Sequence, residues 1–284
     1  VTGRRIPEAG LDALIRSALA EDLGPGRRDV TTEAILDPGA SGGGEIRANA
    51  SLVLAGIEAA RRTFHALDPD LHFHAAVEDG ARLEPGDRVA AIEGDLRAIL
   101  AGERTALNFL QRLSGVATLT ARFVDAVRGT RARILDTRKT APGWRQLEKY
   151  AVRCGGGINH RMGLYDGFLI KDNHLGAAGG LAKAVDRARR AAPEAPLEVE
   201  ARTIDEFEAA LAAGVDRILL DNMDPSRLRE AVRRAGGSVP LEASGGVTLE
   251  NVRAVAETGV DFISIGALTH SAPAADLSLE ILSP

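Results

Sequence analysis

Arg217-Ile218-Leu219-Leu220-Asp221, Pro225–Ala235 and Leu241-Glu242-Ala243-Ser244-Gly245-Gly246 lie in one continuous stretch, and its reading decides the fold. An apolar run ends in an acid, a helical pattern follows, and a second apolar run ends in Ser-Gly-Gly. That is the rhythm of a strand–helix–strand unit. Working outward, the rhythm fills the chain beyond residue 130. Strands are predicted over 132–137, 167–171, 197–200, Arg217–Asp221, 240–244 and 261–266, and helical patterns over 204–213, Pro225–Ala235 and 249–258. Such alternation predicts an α/β fold with parallel strands and outer helices, wound into a barrel or stacked as an open sheet. No Gly-x-Gly-x-x-Gly follows the first strand, so the dinucleotide-binding open sheet has little support.

The first hundred residues have a different rhythm. Leu11, Leu14, Ile15, Ala18 and Leu19 recur at helical spacing, and Asp22-Leu23-Gly24-Pro25-Gly26 breaks that helix. Short strands separated by Gly, Pro and Asp turns are predicted over 45–50, 52–55, 71–77 and 88–93. A helix follows over 98–112 and continues or restarts to Val127. Near the end, Leu277, Leu279 and Ile281 alternate with Ser278 and Glu280, the pattern of a half-buried strand. It suits the antiparallel N-terminal sheet better than the parallel set.

Composition bounds the chemistry. The chain has 284 residues, 45% hydrophobic and 26% charged, with a formal net charge of −5. An acidic balance argues against nucleic acid as a partner, and no apolar run is long enough to span a bilayer. Val1 to Glu8 carries Arg4 and Arg5 without an apolar core behind them, unlike a secretory signal. One cysteine, Cys154, allows neither an intramolecular disulfide nor a cysteine zinc site. A cytoplasmic, reducing location is the expectation.

Polar residues repeatedly close the predicted parallel strands, the ends that carry the active site in a β/α barrel. Arg138 and Lys139 follow one run, Lys171 another, while Glu200, Asp221, Ser244-Gly245-Gly246 and Gly266-Ala267 close the rest. One charge at a strand end is ordinary; six such ends are not. Glu198 and Glu200 share one side of their strand by its two-residue period, opposite Leu197 and Val199; if the Leu-Val side packs on helices, both acids point inward and require cations nearby. Lys139 and Lys171 are candidates for that pairing. Ser244-Gly245-Gly246, with a helix opening near Thr248, could aim backbone amides at a phosphate, helped by the helix dipole, and Gly266-Ala267 would complete the cradle.

Arg104, Arg138, Lys139, His160, Arg161 and Lys171 form the cationic set, in which arginines suit two-point contact with carboxylates and lysines act as point charges. Beside a phosphate cradle they suggest a small polyanionic substrate. Plainer readings stand next to these. Arg138-Lys139 could be a basic strand exit, His160-Arg161 a solvated pair, and the turn at Lys171 an ordinary polar one. Glu198 reads as an internal structural acid, whereas Glu200 and Asp221 read as functional. His270 could approach substrate or be structural, and His65, His72 and His74 lack metal-ligand company. Cys154 precedes three glycines with no base beside it, so it is not expected to act as a nucleophile.

These residues carry a resemblance. Glu103-Arg104-Thr105-Ala106-Leu107-Asn108, Leu135-Asp136-Thr137-Arg138-Lys139-Thr140 and Gly155-Gly156-Gly157-Ile158-Asn159-His160-Arg161 strongly resemble quinolinate phosphoribosyltransferases. So do Leu169-Ile170-Lys171-Asp172-Asn173-His174, Val199-Glu200, Leu220-Asp221-Asn222 and Glu242-Ala243-Ser244-Gly245-Gly246. Glu21-Asp22-Leu23-Gly24 and Asp29-Val30-Thr31-Thr32 look like the family's N-terminal segment, and no site position departs from the pattern. The resemblance implies an N-terminal α/β sandwich, residues 1–112 rejoined by strand 275–284, and an incomplete seven-stranded β/α barrel over 113–274.

It further implies transfer of phosphoribosyl from phosphoribosyl pyrophosphate (PRPP) to quinolinate with decarboxylation, giving nicotinate mononucleotide, CO2 and pyrophosphate. By the family's pattern Thr137, Arg138, Arg161 and Lys171 hold quinolinate with His160 close by. Arg104 reaches in from the partner subunit of a homodimer, or of a hexamer built as a trimer of dimers. Lys139, Glu200 and Asp221 contact PRPP and its Mg²⁺, and Lys139, Lys171, Glu200 and Asp221 make the catalytic set. Ser244, Gly245, Gly246, Ile265, Gly266, Ala267 and His270 hold phosphate. The rivals are a related phosphoribosyltransferase-like protein of molybdenum-transport gene clusters and a Schiff-base barrel lyase using Lys139 or Lys171. A lipoyl or biotin carrier, suggested by the Gly and Pro rhythm of 80–94, fails because that region has no lysine.

Overall fold

A computed structural model describes residues 6–8 and 10–282; Arg4 and Arg5, and with them most of the signal reading, lie outside the described residues. In chain order, the elements begin with α1 (Leu11–Leu23), α2 (Val30–Ile35), β1 (Ser41–Ala48), β2 (Leu52–Val53) and α3 (Ile57–His65). Next come β3 (His72–Ala75), β4 (Arg82–Leu83), β5 (Arg88–Asp95), α4 (Leu96–Ala126), β6 (Arg133–Leu135) and α5 (Arg145–Cys154). Then follow β7 (Phe168–Ile170), α6 (Asp172–Ala178), α7 (Leu181–Ala191), β8 (Leu197–Ala201), α8 (Ile204–Ala212) and β9 (Arg217–Asp221). The chain closes with α9 (Pro225–Ala235), β10 (Leu241–Ser244), α10 (Val252–Ala256), β11 (Phe262–Ser264), α11 (Ala267–His270) and β12 (Leu277–Leu282).

Two compact units result. The first runs to Ala121 and adds Gln146–Gly156 and the residues from Ala272 on; the second holds Arg122–Arg145 and Gly157–Ser271. The units part within α4, which runs unbroken through residue 112 where the sequence left a restart open. The first unit also takes most of α5, a helix the sequence reading did not foresee. There the Tyr150 hydroxyl donates to Asp79 at 2.5 Å, while Asp79 caps α3 by accepting the amides of Gly56 and Ile57 at 2.9 and 3.1 Å. Glu148, fully buried, accepts from Arg112 at 2.5 Å.

Strands of the first unit order as β12-β1-β5-β3, all antiparallel, with β2 and β4 paired separately. The return of the C-terminal strand is therefore as expected: Ile46 faces Leu279 across the β1–β12 ladder. Ile46, Phe64, Leu71, Ile92, Ile99, Leu107 and Leu277 pack into one core under this sheet and α4.

The second unit is a parallel sheet ordered β6-β11-β10-β9-β8-β7, six strands among the described residues. A seventh position is a single parallel bridge from Ile158 to Leu135, on the outer side of β6. This is the incomplete β/α barrel the resemblance implied, with its seventh strand reduced to a bridge. Helices are started by side chains that accept the first amides. Thr203 caps α8, accepting from Glu206 at 3.2 Å, and Asp224 before Pro225 caps α9, accepting from Ser226 at 2.8 Å.

Candidate active site

The strand ends converge because parallel register puts them at one level. Ser244 of β10 pairs with Asp221 of β9 on one side and Ser264 of β11 on the other. Around them opens a cavity of about 730 Å³. Its walls include Thr137, Arg138, Lys139, His160, Arg161, Lys171, Glu200, Asp221, Ser244, Gly245, Gly246, Ile265, Gly266, Ala267 and His270, so fifteen residues singled out in the sequence share one mouth. Arg104 does not line it; that side chain is exposed on α4. His65, His72, His74 and the buried Cys154 do not line it either.

Cations and acids are interleaved in this mouth. Glu200 is 7% exposed. Its Oε2 stands 2.9 Å from Lys171 Nζ, and its Oε1 accepts from Arg202 Nη2 at 3.1 Å. Arg202 Nε lies 3.5 Å from Asp221 Oδ2, so one guanidinium spans both acids. Arg202 also pairs with Asp172 at 2.7 Å, and that carboxyl is held below the usual range by the Asn173 amide and Arg202. The sequence reading missed Arg202, whose only signal was its place two residues past Glu200.

Arg138 and Arg161 supply the opposite wall. Arg161 Nη1 donates to the Gly167 carbonyl at 2.9 Å, and burial together with the neighbouring Arg138 charge lowers its pKa. Arg138 Nε is buried with no hydrogen-bond partner. A charged donor left so is costly unless an anion accepts from it. Asp136, fully buried, braces this wall from behind, accepting the His160 amide at 2.9 Å and Asn159 Nδ2 at 2.5 Å.

Below these lies a floor the sequence reading treated only in part. His160 Nε2 stands 2.9 Å from Glu198 Oε2 and 3.6 Å from Glu242 Oε2, and Arg217 Nη1 donates to Glu242 at 3.0 Å while its guanidinium stacks on Phe262. Glu198 does not line the cavity, in keeping with a structural acid. Glu242 does line it, is wholly buried, and is pushed up to about 7, first by burial and then by the Glu198 charge. His160 is raised in turn, its carboxylate neighbours outweighing burial.

The glycine loop differs from expectation in one respect. The regular part of α10 begins at Val252, later than the predicted 249, although the Val252 N–H already donates to Thr248 O at 2.9 Å, so the first turn does open at Thr248. The loop's shape comes from its backbone. Gly245 has φ +96°, and a Cβ there would sit 2.2 Å from Asn222 Oδ1. Asn222, itself at φ 54°, donates its amide to Ser244 O at 2.8 Å. At Gly246 the space is open within 4 Å, room that a phosphate could use.

The match with known families agrees with this geometry. Residues 29–114 match the N-terminal domain of quinolinate phosphoribosyl transferase, and residues 116–280 match its C-terminal domain. This chain belongs to the quinolinate phosphoribosyltransferase family. A nicotinate-nucleotide pyrophosphorylase [carboxylating] of Mycobacterium leprae is 44% identical over 272 residues, covering 94% of this chain and 95% of the relative. A probable enzyme of the same name from Bacillus subtilis is 42% identical, covering 95% of this chain and 93% of its own. Among solved structures, the nicotinate-nucleotide pyrophosphorylase of Francisella tularensis superposes with a TM-score of 0.95 at 39% identity, covering 98% of both chains.

Proposed function

We propose that this chain joins quinolinate to PRPP and releases pyrophosphate and CO2, giving nicotinate mononucleotide for NAD synthesis. The observation that carries the reading is the cavity itself, where a cationic wall and two acids face a glycine loop. Arg138 and Arg161 would hold the pyridine carboxylates, with Thr137 and Lys171 beside them. Ser244, Gly245, Gly246, Ile265, Gly266, Ala267 and His270 would surround the 5′-phosphate, and Lys139 would meet the pyrophosphate. The pyridine nitrogen attacks the anomeric carbon as the bond to pyrophosphate breaks. Glu200 and Asp221 stabilise the positive charge that builds on the sugar. The 2-carboxylate then departs as CO2, leaving its bonding pair on C2 as a carbanion that the adjacent cationic ring nitrogen stabilises, and C2 takes up a proton. The protein's part is placement and preorganised charge, with no covalent intermediate.

Two carboxylates already converging on one cation, Arg202, form a donor set that suits magnesium. Glu200 and Asp221 would hold the ion, directly or through water, once the half-exposed Arg202 turns aside; bound there with PRPP, it would neutralise pyrophosphate charge. We further propose a cytoplasmic homodimer, alone or within a hexamer, in which Arg104 serves the partner's site. No helix of the described residues is long and apolar enough to cross a membrane.

The deciding assay detects CO2 and nicotinate mononucleotide from quinolinate and PRPP, and its absence with folded protein would reject the reading. Arg138→Ala and Arg161→Ala should each raise the KM for quinolinate at least tenfold (about 1.4 kcal/mol of binding). Mixing Arg104→Ala with Lys139→Ala should regain activity that neither variant has alone; no regain counts against a shared site.

A further inference from the structure

The floor beneath the cavity contains more machinery than substrate binding needs. Four strands and one loop send polar groups to a single point. They are Glu198 from β8, Arg217 from β9, Glu242 from β10, Ser264 from β11 and His160 from the segment after Ile158. Glu198 and Glu242 are both buried, and each keeps one oxygen, Oε1, without a hydrogen-bond partner. Two buried acids sharing one imidazole is a costly arrangement that packing alone would not favour.

The imidazole is held from both ends. Nδ1 accepts the Arg161 backbone N–H at 2.7 Å, so in the neutral ring the hydrogen sits on Nε2 and points at the two carboxylates. The His160 amide is fixed separately by Asp136 at 2.9 Å. The two ring nitrogens thus face the Arg161 amide and the floor acids. The ring's mechanical effect is to tie the floor acids to the backbone that carries Arg161.

We propose that Glu242 is a positioning residue for the reaction: its charge, beside the Glu198 hydrogen bond, holds the His160 ring, and through that ring it sets the backbone from which Arg161 reaches the pyridine dicarboxylate. Arg217, braced on Phe262 at 4.3 Å, anchors Glu242 from the other side. The proposal rests on reading this cavity as the quinolinate site. Burial and the Glu198 charge push Glu242 up to about 7, so the grip should vary with pH near neutrality. The groups facing it are Glu198, His160, Arg217 and the Ser264 hydroxyl.

The test compares Glu242→Gln and Glu242→Asp with the wild type in the full-length protein. The glutamine variant should raise the KM for quinolinate about tenfold while the KM for PRPP moves less than about twofold. Its pH–rate profile should lose the limb near neutrality, and the shorter carboxylate of the aspartate variant should restore part of both. Should the glutamine variant fail to fold, the aspartate variant must show the same split between the two KM values. Equal rises in both KM values with an unaltered pH profile would mean a merely structural acid and would overturn the proposal. One readout does not depend on turnover: the His160 ring resonance should titrate at lower pH in Glu242→Gln. If the wild type does not use quinolinate, the functional reading falls while this titration still decides the contact, and an unchanged midpoint sinks it.

Discussion

Lys171 Nζ lies 2.9 Å from Glu200 Oε2, and the Arg202 guanidinium occupies the other oxygen of that carboxylate at 3.1 Å. Glu200 is thus gripped by two cations, both about half exposed and able to turn toward an anion. Lys171→Ala should lower kcat/KM by about 10²-fold, the usual cost of losing a charged donor in such a site. Lys171→Arg should not rescue it, because a planar fork does not replace a compact point charge. Steady-state kinetics with an unchanged melting temperature would check this; wild-type rates in either variant would refute it.

Gly245→Ala should injure phosphate binding selectively. The substitution strains a backbone at φ +96° and drives a Cβ to 2.2 Å from Asn222 Oδ1. The expected result is a KM for PRPP raised about tenfold or more, with quinolinate affinity in equilibrium dialysis little altered.

Stability should fall as pH rises through neutrality. Glu242 is raised in the folded protein, so its protonated form is favoured there. Its contribution is complete below the ordinary carboxylate range and is lost as pH climbs through about 7. His160 is also raised, and its contribution is likewise lost on the alkaline side. Glu58, Asp216 and Asp224 are lowered by their partners and act oppositely, losing their contribution as pH falls through the acid range. Melting temperature should therefore decline as pH rises from the ordinary carboxylate range to about 7, and Glu242→Gln should flatten that decline. A rise over the same window in the wild type would contradict it.

Gly115→Ala tests packing remote from the chemistry. A Cβ on this α4 residue would meet the Pro273 carbonyl oxygen at 2.0 Å, a backbone atom that cannot step aside cheaply. Destabilisation of about 1–3 kcal/mol is expected, read as a lowered denaturation midpoint in urea with an unchanged slope. An unchanged midpoint would contradict it.

Where the sequence was legible, the reason is periodic. Parallel strands buried on both faces announce themselves as apolar runs, and the polar residue closing each run marks the working end, so Glu200, Asp221 and Ser244 can be placed from their spacing alone. Glu198 could be read as sharing the face of Glu200 because a two-residue period puts both on one side, and that side is internal if Leu197 and Val199 pack on helices. Illegible parts depend on contacts distant in sequence. Nothing local shows that Asp79 will cap α3 and take the Tyr150 hydroxyl, or that Arg202 will bridge Glu200 and Asp221. Glu242 was visible within a motif, yet its place beside His160 arises from pairing in space. The helix expected over 249–258 is regular only over Val252–Ala256, while Asn251 accepting the Thr248 amide and Thr248 O accepting the Val252 N–H open its first turn where the sequence placed it.

The β1–β12 ladder has a consequence for biosynthesis. Ser41–Ala48 emerges from the ribosome early, but the strand that completes its outer edge, Leu277–Leu282, is translated only after the whole parallel sheet. Until then the nascent chain carries an unpaired β edge, a template for contact with other chains. Chaperone demand during synthesis should accordingly depend on translation speed through the intervening segment.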